Sequence, residues 1–308
     1  MINKSTDRSK NWQGAGGGGE TPPLVVIVGE TASGKSALAL HLAETFGGEL
    51  ICADSWTVYK GFDIGTAKPT AEEQQRVPHH LLDVADPAAG FNVVEFKKLS
   101  ANAIQSIVKR GKLPIMVGGT GLYIDSVLYD YQFLPPTDPK VREELNGLSL
   151  AEVLERAEAL GLDTTDIDLR NKRRVIRLIE NNGARPTKRG MREHTLVMGI
   201  KTDREHLRDR IEHRVDAMLA AGLETEVRRL ADNYGWEAEP MKGIGYVEWK
   251  PYFAGTQSLD ETRARIIKAT MDLAKRQRTW FKRNDSIQWL HDLSSADEIT
   301  TTFLNKIQ

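Results

Sequence analysis

Cysteine is almost missing from this sequence, which holds one, Cys52, in 308 residues. That excludes an internal disulfide and any metal site built on a cysteine cluster, and it suits a reducing cytoplasm. Set among Leu50, Ile51 and Ala53, the thiol reads as part of a buried strand. No apolar stretch reaches the length needed to span a bilayer, so no membrane partner is expected. The N-terminus has no apolar core after its Lys and Arg residues, which argues against a signal peptide. Residues 11–20 (N-W-Q-G-A-G-G-G-G-E) give residues 1–20 the texture of a flexible tail. Net charge is close to nil, at −1, and the hydrophobic share of 40% and charged share of 28% are those of an ordinary soluble globular protein. The expected location is the cytoplasm.

Residues 29–36 read G-E-T-A-S-G-K-S, a complete phosphate-binding loop of the G-x-x-x-x-G-K-[ST] type. Gly29 and Gly34 let successive backbone N–H groups of Glu30, Thr31, Ala32 and Ser33 turn inward around a phosphate at the start of the next helix. Lys35 supplies a point charge, and the Ser36 hydroxyl suits Mg²⁺. The flanks are those the loop requires. Residues 24–28 (L-V-V-I-V) form a β-branched strand run, and Leu38, Leu42 and Phe46 recur at helical spacing. The loop points to a di- or triphosphate without naming a reaction.

Alternation continues downstream. Residues 49–53 read as a second strand ending at Asp54. Asn92 with Glu95 signals a helix start, and that helix reaches Arg110 and stops at Gly111. Residues 113–117 (L-P-I-M-V) form a third strand that runs into Gly118, Gly119, Thr120 and Gly121. Such alternation predicts a P-loop NTPase-like α/β fold, a parallel sheet flanked by helices with ligands at the strand C-terminal ends. Gly29, Asp54 and Gly118 should then meet at one edge. From 137 the texture becomes helical, amphipathic over 148–160 and again over 169–180 with Arg170, Arg174 and Arg177 on one face. Strand character returns at 195–200. Thr202 with Glu205 reads as a capping box for a helix to about 221, a long helix covers 260–283, and 287–290 suggests an edge strand. The expected organisation is a catalytic core at 21–136 and 195–308, with a small helical domain inserted at 137–194.

Near-neutral net charge hides segregation. Residues 170–192 carry nine Arg or Lys against one Glu, and residues 263–283 carry eight against one Asp. A basic surface of that size marks a polyanion partner, with two solvated helix faces as the bland alternative.

An ATP-dependent kinase or ATPase, the usual nucleotide-binding owner of such a loop, holds Mg²⁺ on an acid that ends a second apolar strand. Here that strand ends in Gly118 and Gly119, so the acid is missing. A carboxylate stands instead at Asp54, in A-D-S-W-T-V-Y, where a general base could act on an acceptor bound beside a diphosphate. A strand-end Asp that caps a turn is the plainer reading. His79 and His80 are adjacent and lack a third ligand, a weak zinc signal.

The motifs together resemble the tRNA dimethylallyltransferases, also called tRNA isopentenyltransferases. D-S-W-T-V-Y at 54–59, G-x-D-I-G-T-A-K-P at 61–69, P-H-H-L-L-D at 78–83, V-G-G-T-G-L-Y at 117–123, G-I-G-Y-x-E at 243–248 and K-R-Q-x-T-W-F-K-R at 275–283 occur in order. Glu30 stands where the family usually has Pro, and Thr57 where it often has Gln or Leu. The single cysteine cannot build the C-terminal zinc finger of eukaryotic members, so a bacterial-type enzyme is implied. The resemblance implies transfer of a dimethylallyl group from dimethylallyl diphosphate to the exocyclic amine of the adenosine 3′ to a tRNA anticodon, with Mg²⁺ as cofactor. It makes Asp54 the base, Arg214 a second diphosphate clamp and Thr120 a tRNA-contacting or reaction-site threonine. Contacts to the anticodon stem-loop are implied for Asp54, Ser55, Trp56, Thr57, Arg142, Arg173, Arg174 and Arg177. The same holds for Lys242, Gly243, Gly245, Tyr246, Lys275, Arg276, Gln277, Trp280 and Arg283, although Trp280 equally suits a core position. Three rivals remain at this stage: a small-molecule kinase, an RNA-binding module with a vestigial loop, and a prenyltransferase acting on free AMP or ADP. A monomer is expected.

Overall fold

The structure, a computed structural model, describes residues 21–135, 137–290 and 292–307. The tail expected at 1–20 lies outside the described residues. Two compact units make up the chain, one running up to Leu128 and resuming at Arg192, the other spanning Tyr129–Met191.

The larger unit starts with β1 (Leu24–Gly29), α1 (Lys35–Phe46), β2 (Gly48–Ala53), α2 (Ala71–Arg76), β3 (His79–His80), α3 (Val93–Lys109), β4 (Leu113–Gly118) and α4 (Gly121–Leu128). The smaller unit contributes α5 (Pro139–Gly147), α6 (Leu150–Ala159) and α7 (Lys172–Glu180). The larger unit resumes with β5 (Thr195–Ile200), α8 (Arg204–Ala220), α9 (Leu223–Tyr234), α10 (Lys250–Phe253), α11 (Leu259–Phe281), β6 (Gln288–Leu290) and α12 (Ala296–Lys306).

All strands pair in parallel, in the order β3-β2-β4-β1-β5-β6, as the alternating pattern predicts. β1, β2 and β4 are buried throughout, because helices cover both faces of the sheet. On one face Val25, Ile27, Leu50, Ile115 and Met198 pack against Leu38 and Leu42 of α1 and Leu304 of α12. Pro114 lies inside β4 level with Glu49 of β2, while pairing with β1 begins one residue later, at Ile115, where an N–H is available. Val28 is level with Gly118, and so is Ala53, which brings the ends of β1, β2 and β4 to one edge.

Helix starts follow side-chain chemistry. Asn92 and Glu95 form the expected capping box on α3. The box expected at Thr202 and Glu205 is not formed. Asp203 caps α8 instead, accepting the Glu205 N–H at 2.8 Å, and the Thr202 hydroxyl is buried with no hydrogen-bond partner among the described residues. A carboxylate is the better acceptor for an orphan N–H, and it wins the position.

The smaller unit has its own core of Leu145, Val153, Ala157, Val175, Ile176 and Ile179. Its boundaries fall at Tyr129 and Met191 rather than at 137 and 194. The entering and leaving chains pair: Gln132 N–H donates to the Thr187 carbonyl at 2.8 Å, and Arg189 N–H to that of Tyr129 at 2.8 Å.

In the larger unit, one buried carboxylate organises the chain between β2 and α2. Glu226 of α9 accepts backbone N–H groups from Asp63, Ile64 and Gly65 at 3.1, 2.8 and 3.0 Å, and the Tyr246 hydroxyl at 2.9 Å. Removing that acceptor strands several buried donors at once. Glu226→Ala should therefore lower the free energy of unfolding by about 3 kcal/mol, and Tyr246→Phe by about 1 kcal/mol. Urea titrations followed by circular dichroism would check both values, and a loss under about 0.5 kcal/mol for Glu226→Ala would rule this role out.

Candidate active site

The phosphate loop leaves β1 at Gly29 and closes on α1 through Gly34, whose φ of 95° is one that other residues seldom adopt. Lys35 Nζ donates to the Glu30 carbonyl at 3.1 Å, and the Ser36 hydroxyl lies exposed on the first turn of α1. Ser33 is 2% exposed, and its hydroxyl has no partner among the described residues. Arg214 reaches the loop from α8, with Nη1 3.5 Å from Thr31 Oγ1 and Nη2 3.4 Å from the Thr66 carbonyl. One turn earlier, Arg210 approaches the Ser33 carbonyl at 3.4 Å.

Packing these cations together perturbs them. Burial, followed by repulsion from Arg214, lowers the Lys35 pKa from its ordinary value to about 8, while Asp54 and Glu30 act in the opposite direction. Burial also lowers the Arg214 pKa, and Asp54 again opposes the shift.

Asp54 follows β2 and closes the turn expected of a strand-end Asp. Its Oδ1 accepts the N–H groups of Trp56 and Thr57, at 2.9 and 3.4 Å. The turn engages Oδ1 alone, and Asp54 lines the cavity described next. Thr120, beyond the end of β4, accepts the Ser55 N–H at 3.0 Å and donates to the Ser55 hydroxyl at 3.3 Å. The capping and catalytic readings of Asp54 are thus compatible, because the turn fixes the carboxylate in place.

A cavity of about 470 Å³ opens from this edge. Thr31, Asp54, Ser55, Thr120 and Arg214 give it polar walls, while Ile211, Val215 and Met218 of α8 and Ile266 and Leu273 of α11 give it apolar ones. Trp56, Lys242, Gly243 and Gly245 also line it. The Trp56 indole is pinned by a 2.9 Å bond from Nε1 to the Pro240 carbonyl, and a Cβ on Gly243 would lie 1.8 Å from the same nitrogen. An anion and an apolar group can therefore sit side by side, with a carboxylate in reach of a third group.

The residues expected to meet RNA divide by exposure. Lys242, Lys275, Arg276 and Arg283 are exposed, and the Arg283 guanidinium lies 4.3 Å from the centre of the Trp280 ring. Trp280 lines the cavity and donates from Nε1 to Asp125 at 2.9 Å. Tyr246 is fully buried, pinned by Glu226 and packed on Phe62, so its side chain shapes the loop wall rather than an RNA surface. Gln277, 8% exposed, accepts the Thr31 N–H at 2.7 Å and donates to the Gly119 carbonyl at 3.1 Å, which makes it a brace for the loop. Thr57 is buried, its hydroxyl without a partner among the described residues.

In the smaller unit, Arg173, Arg174 and Arg177 are exposed along α7. Arg142 forms a two-pronged ion pair with the buried carboxylate of Glu180, an engagement that the sequence pattern gave no reason to expect. The two histidines serve structure: His80 Nε2 lies 2.7 Å from Glu49 Oε2, and Arg110 also pairs with that carboxylate. No group of three metal-ligating side chains occurs among the described residues. Sequence reasoning missed Arg210, Glu226, Asp125 and Arg278, whose partners lie far away in the chain.

Comparison with known proteins agrees with this geometry. The family model described as IPP transferase matches residues 57–284. A tRNA dimethylallyltransferase from Bacillus cytotoxicus is 40% identical over 302 residues, covering 92% of this chain and 96% of that one. Another, from Exiguobacterium, is 44% identical and covers 87% and 90%. Among solved structures, the tRNA isopentenylpyrophosphate transferase of Bacillus halodurans superposes with a TM-score of 0.73 at 34% identity, covering 93% of this chain and 98% of that one. A eukaryotic dimethylallyltransferase described as acting on tRNA gives 0.72 at 26% identity, covering 92% and 77%. Matched over most of its length in family, sequence and fold, the chain belongs to the IPP transferase family.

Proposed function

We propose that this protein transfers a dimethylallyl group from dimethylallyl diphosphate to the exocyclic N6 amine of the adenosine 3′-adjacent to the anticodon of a tRNA. One observation carries the reading: Thr31 of the phosphate loop, the Arg214 that reaches it, a fixed carboxylate and an apolar wall line one cavity. A kinase needs the first of these but has no use for the last.

The diphosphate is held by Lys35, Arg214 and those loop N–H groups not already engaged, the Thr31 and Ser33 N–H groups being donated to Gln277 and to the Glu30 carbonyl, and the prenyl carbons lie against α8 and α11. As the carbon–oxygen bond to diphosphate breaks, charge grows on the leaving oxygen, where those donors and cations already point. The amine nitrogen bonds to the released carbon. Its lone pair is delocalised into the purine, so loss of a proton to Asp54 as the bond forms assists attack. Thr120 holds Ser55 and thereby the turn that fixes Asp54.

Mg²⁺ suits the Ser36 hydroxyl, because this ion is commonly bound through one or two protein oxygens together with substrate phosphates and water. When bound it would neutralise charge on the diphosphate. An anticodon-loop base must leave its stack to enter a cavity, and the exposed cations of α7 and α11 suit the RNA backbone. No described helix is long and apolar enough to cross a membrane, and we read the protein as a cytoplasmic monomer.

Unmodified tRNA incubated with the protein, Mg²⁺ and dimethylallyl diphosphate should yield a prenylated adenosine, detected by mass spectrometry of its nucleosides. A parallel tube with ATP should yield no phosphorylated product. Asp54→Asn, whose amide oxygen can still accept the Trp56 and Thr57 N–H groups, should reduce product formation by about 10²–10⁴-fold with a nearly unchanged unfolding midpoint, and full activity would remove Asp54 as the base.

A second prediction concerns pH. Below about 8, the free protein already carries the Lys35 ammonium; above it, anion binding must take up a proton. Affinity for inorganic diphosphate should therefore weaken as pH rises from 8 to 9.5, by up to about tenfold per pH unit. Lys35→Arg, which stays charged, should lose that part of the dependence in calorimetric titrations, and identical profiles would show that Lys35 does not titrate there.

A further inference from the structure

The phosphate loop carries a carboxylate of its own. Glu30 directly follows Gly29 and is 6% exposed. A negative charge buried beside an anion site opposes occupation of that site. The charge already acts on the loop cation, since Glu30 is among the groups that raise the Lys35 pKa against burial and Arg214.

Helix α11 answers this charge directly. Arg278 meets Glu30 with two prongs, Nε to Oε1 and Nη2 to Oε2, the latter at 2.9 Å. The preceding residue, Gln277, binds the N–H of Thr31. Consecutive residues of one helix therefore grip consecutive residues of the phosphate loop. The guanidinium fork matches a carboxylate in a way that a lysine would not, so the pair fixes direction as well as charge.

We infer that Arg278 is a positioning residue of the diphosphate site, which turns the Glu30 carboxylate onto α11 and neutralises it so that the loop can take up an anion. This rests on reading the loop as a diphosphate site. Unlike Lys35 and Arg214, Arg278 acts through another residue, and its contribution depends on Glu30 being present.

That dependence yields an ordering by charge. The pair is neutral in the native protein, carries −1 in Arg278→Ala and +1 in Glu30→Gln, and is neutral again in the double variant. Calorimetric titration of each full-length protein with inorganic diphosphate and Mg²⁺ should follow that order. Arg278→Ala should bind about tenfold more weakly than the native protein and Glu30→Gln severalfold more tightly, with the double variant within about threefold of native. The spread should narrow at high salt.

A double variant as weak as Arg278→Ala would overturn the inference, because the arginine would then be docking α11 rather than compensating Glu30. So would an Arg278→Ala protein that binds as tightly as the native one. Should Arg278→Ala fail to fold, the comparison of Glu30→Gln with the native protein decides, and equal affinities overturn it. Failure of the native protein to bind diphosphate at all would sink the diphosphate reading of the loop and this inference with it.

Discussion

Burying Lys35 and Arg214 together at the carboxyl edge of a parallel sheet costs free energy, and the surroundings of the site are arranged around that cost. Among the described residues neither charge is matched by a direct ion pair of its own; Asp54 and Glu30 act on Lys35 at a distance, and Asp54 alone does so on Arg214. A pair of partly desolvated cations beside a phosphate loop is suited to an anion. Preparation of this kind serves catalysis, because the field is in place before the leaving group acquires its charge. With positive charge supplied by side chains of α1 and α8, the site relies less on the acid that ends the corresponding strand in kinases.

Holding such a site open requires walls that do not collapse onto it. Two devices supply them. Glu226 gathers three backbone N–H groups and the Tyr246 hydroxyl, fixing the stretch that includes Gly65, and Arg214 leans on the carbonyl of the next residue, Thr66. On the opposite side, Gln277 bridges the phosphate loop to Gly119, and Trp280 packs where any Cβ on Gly121 would strike its ring, at 2.3 Å from Cδ1. Apart from the Tyr246–Glu226 bond, both devices join residues about 150 or more positions apart, and so belong to tertiary structure rather than to any local motif.

That separation explains how much could be read from the sequence. Parallel sheet, phosphate loop, Asp54 and the bulk of the helices follow from local patterns of period and spacing, and they were legible for that reason. Family motifs supplied Arg214 and Thr120, which the structure brings to the same cavity as Asp54. A motif records that a residue matters and not which way it faces, and the Tyr246 side chain faces inward. Family resemblance implies RNA contacts at Arg142 and Gln277 but carries no information on their protein partners, Glu180, Thr31 and Gly119, which are set by packing. Thr202 lost its expected capping role to the next residue, a competition between two good caps that spacing alone does not decide.

A base beside a diphosphate poses an electrostatic contradiction, since two groups of like sign must occupy one cavity. Lys35 and Arg214 ease it: Asp54 opposes the lowering of each cation's pKa, so the carboxylate helps to keep both cations charged for an anion. In the reading proposed above, a bound diphosphate would share those cations with the carboxylate, and leaving-group departure and proton removal would then be coupled through the same two side chains.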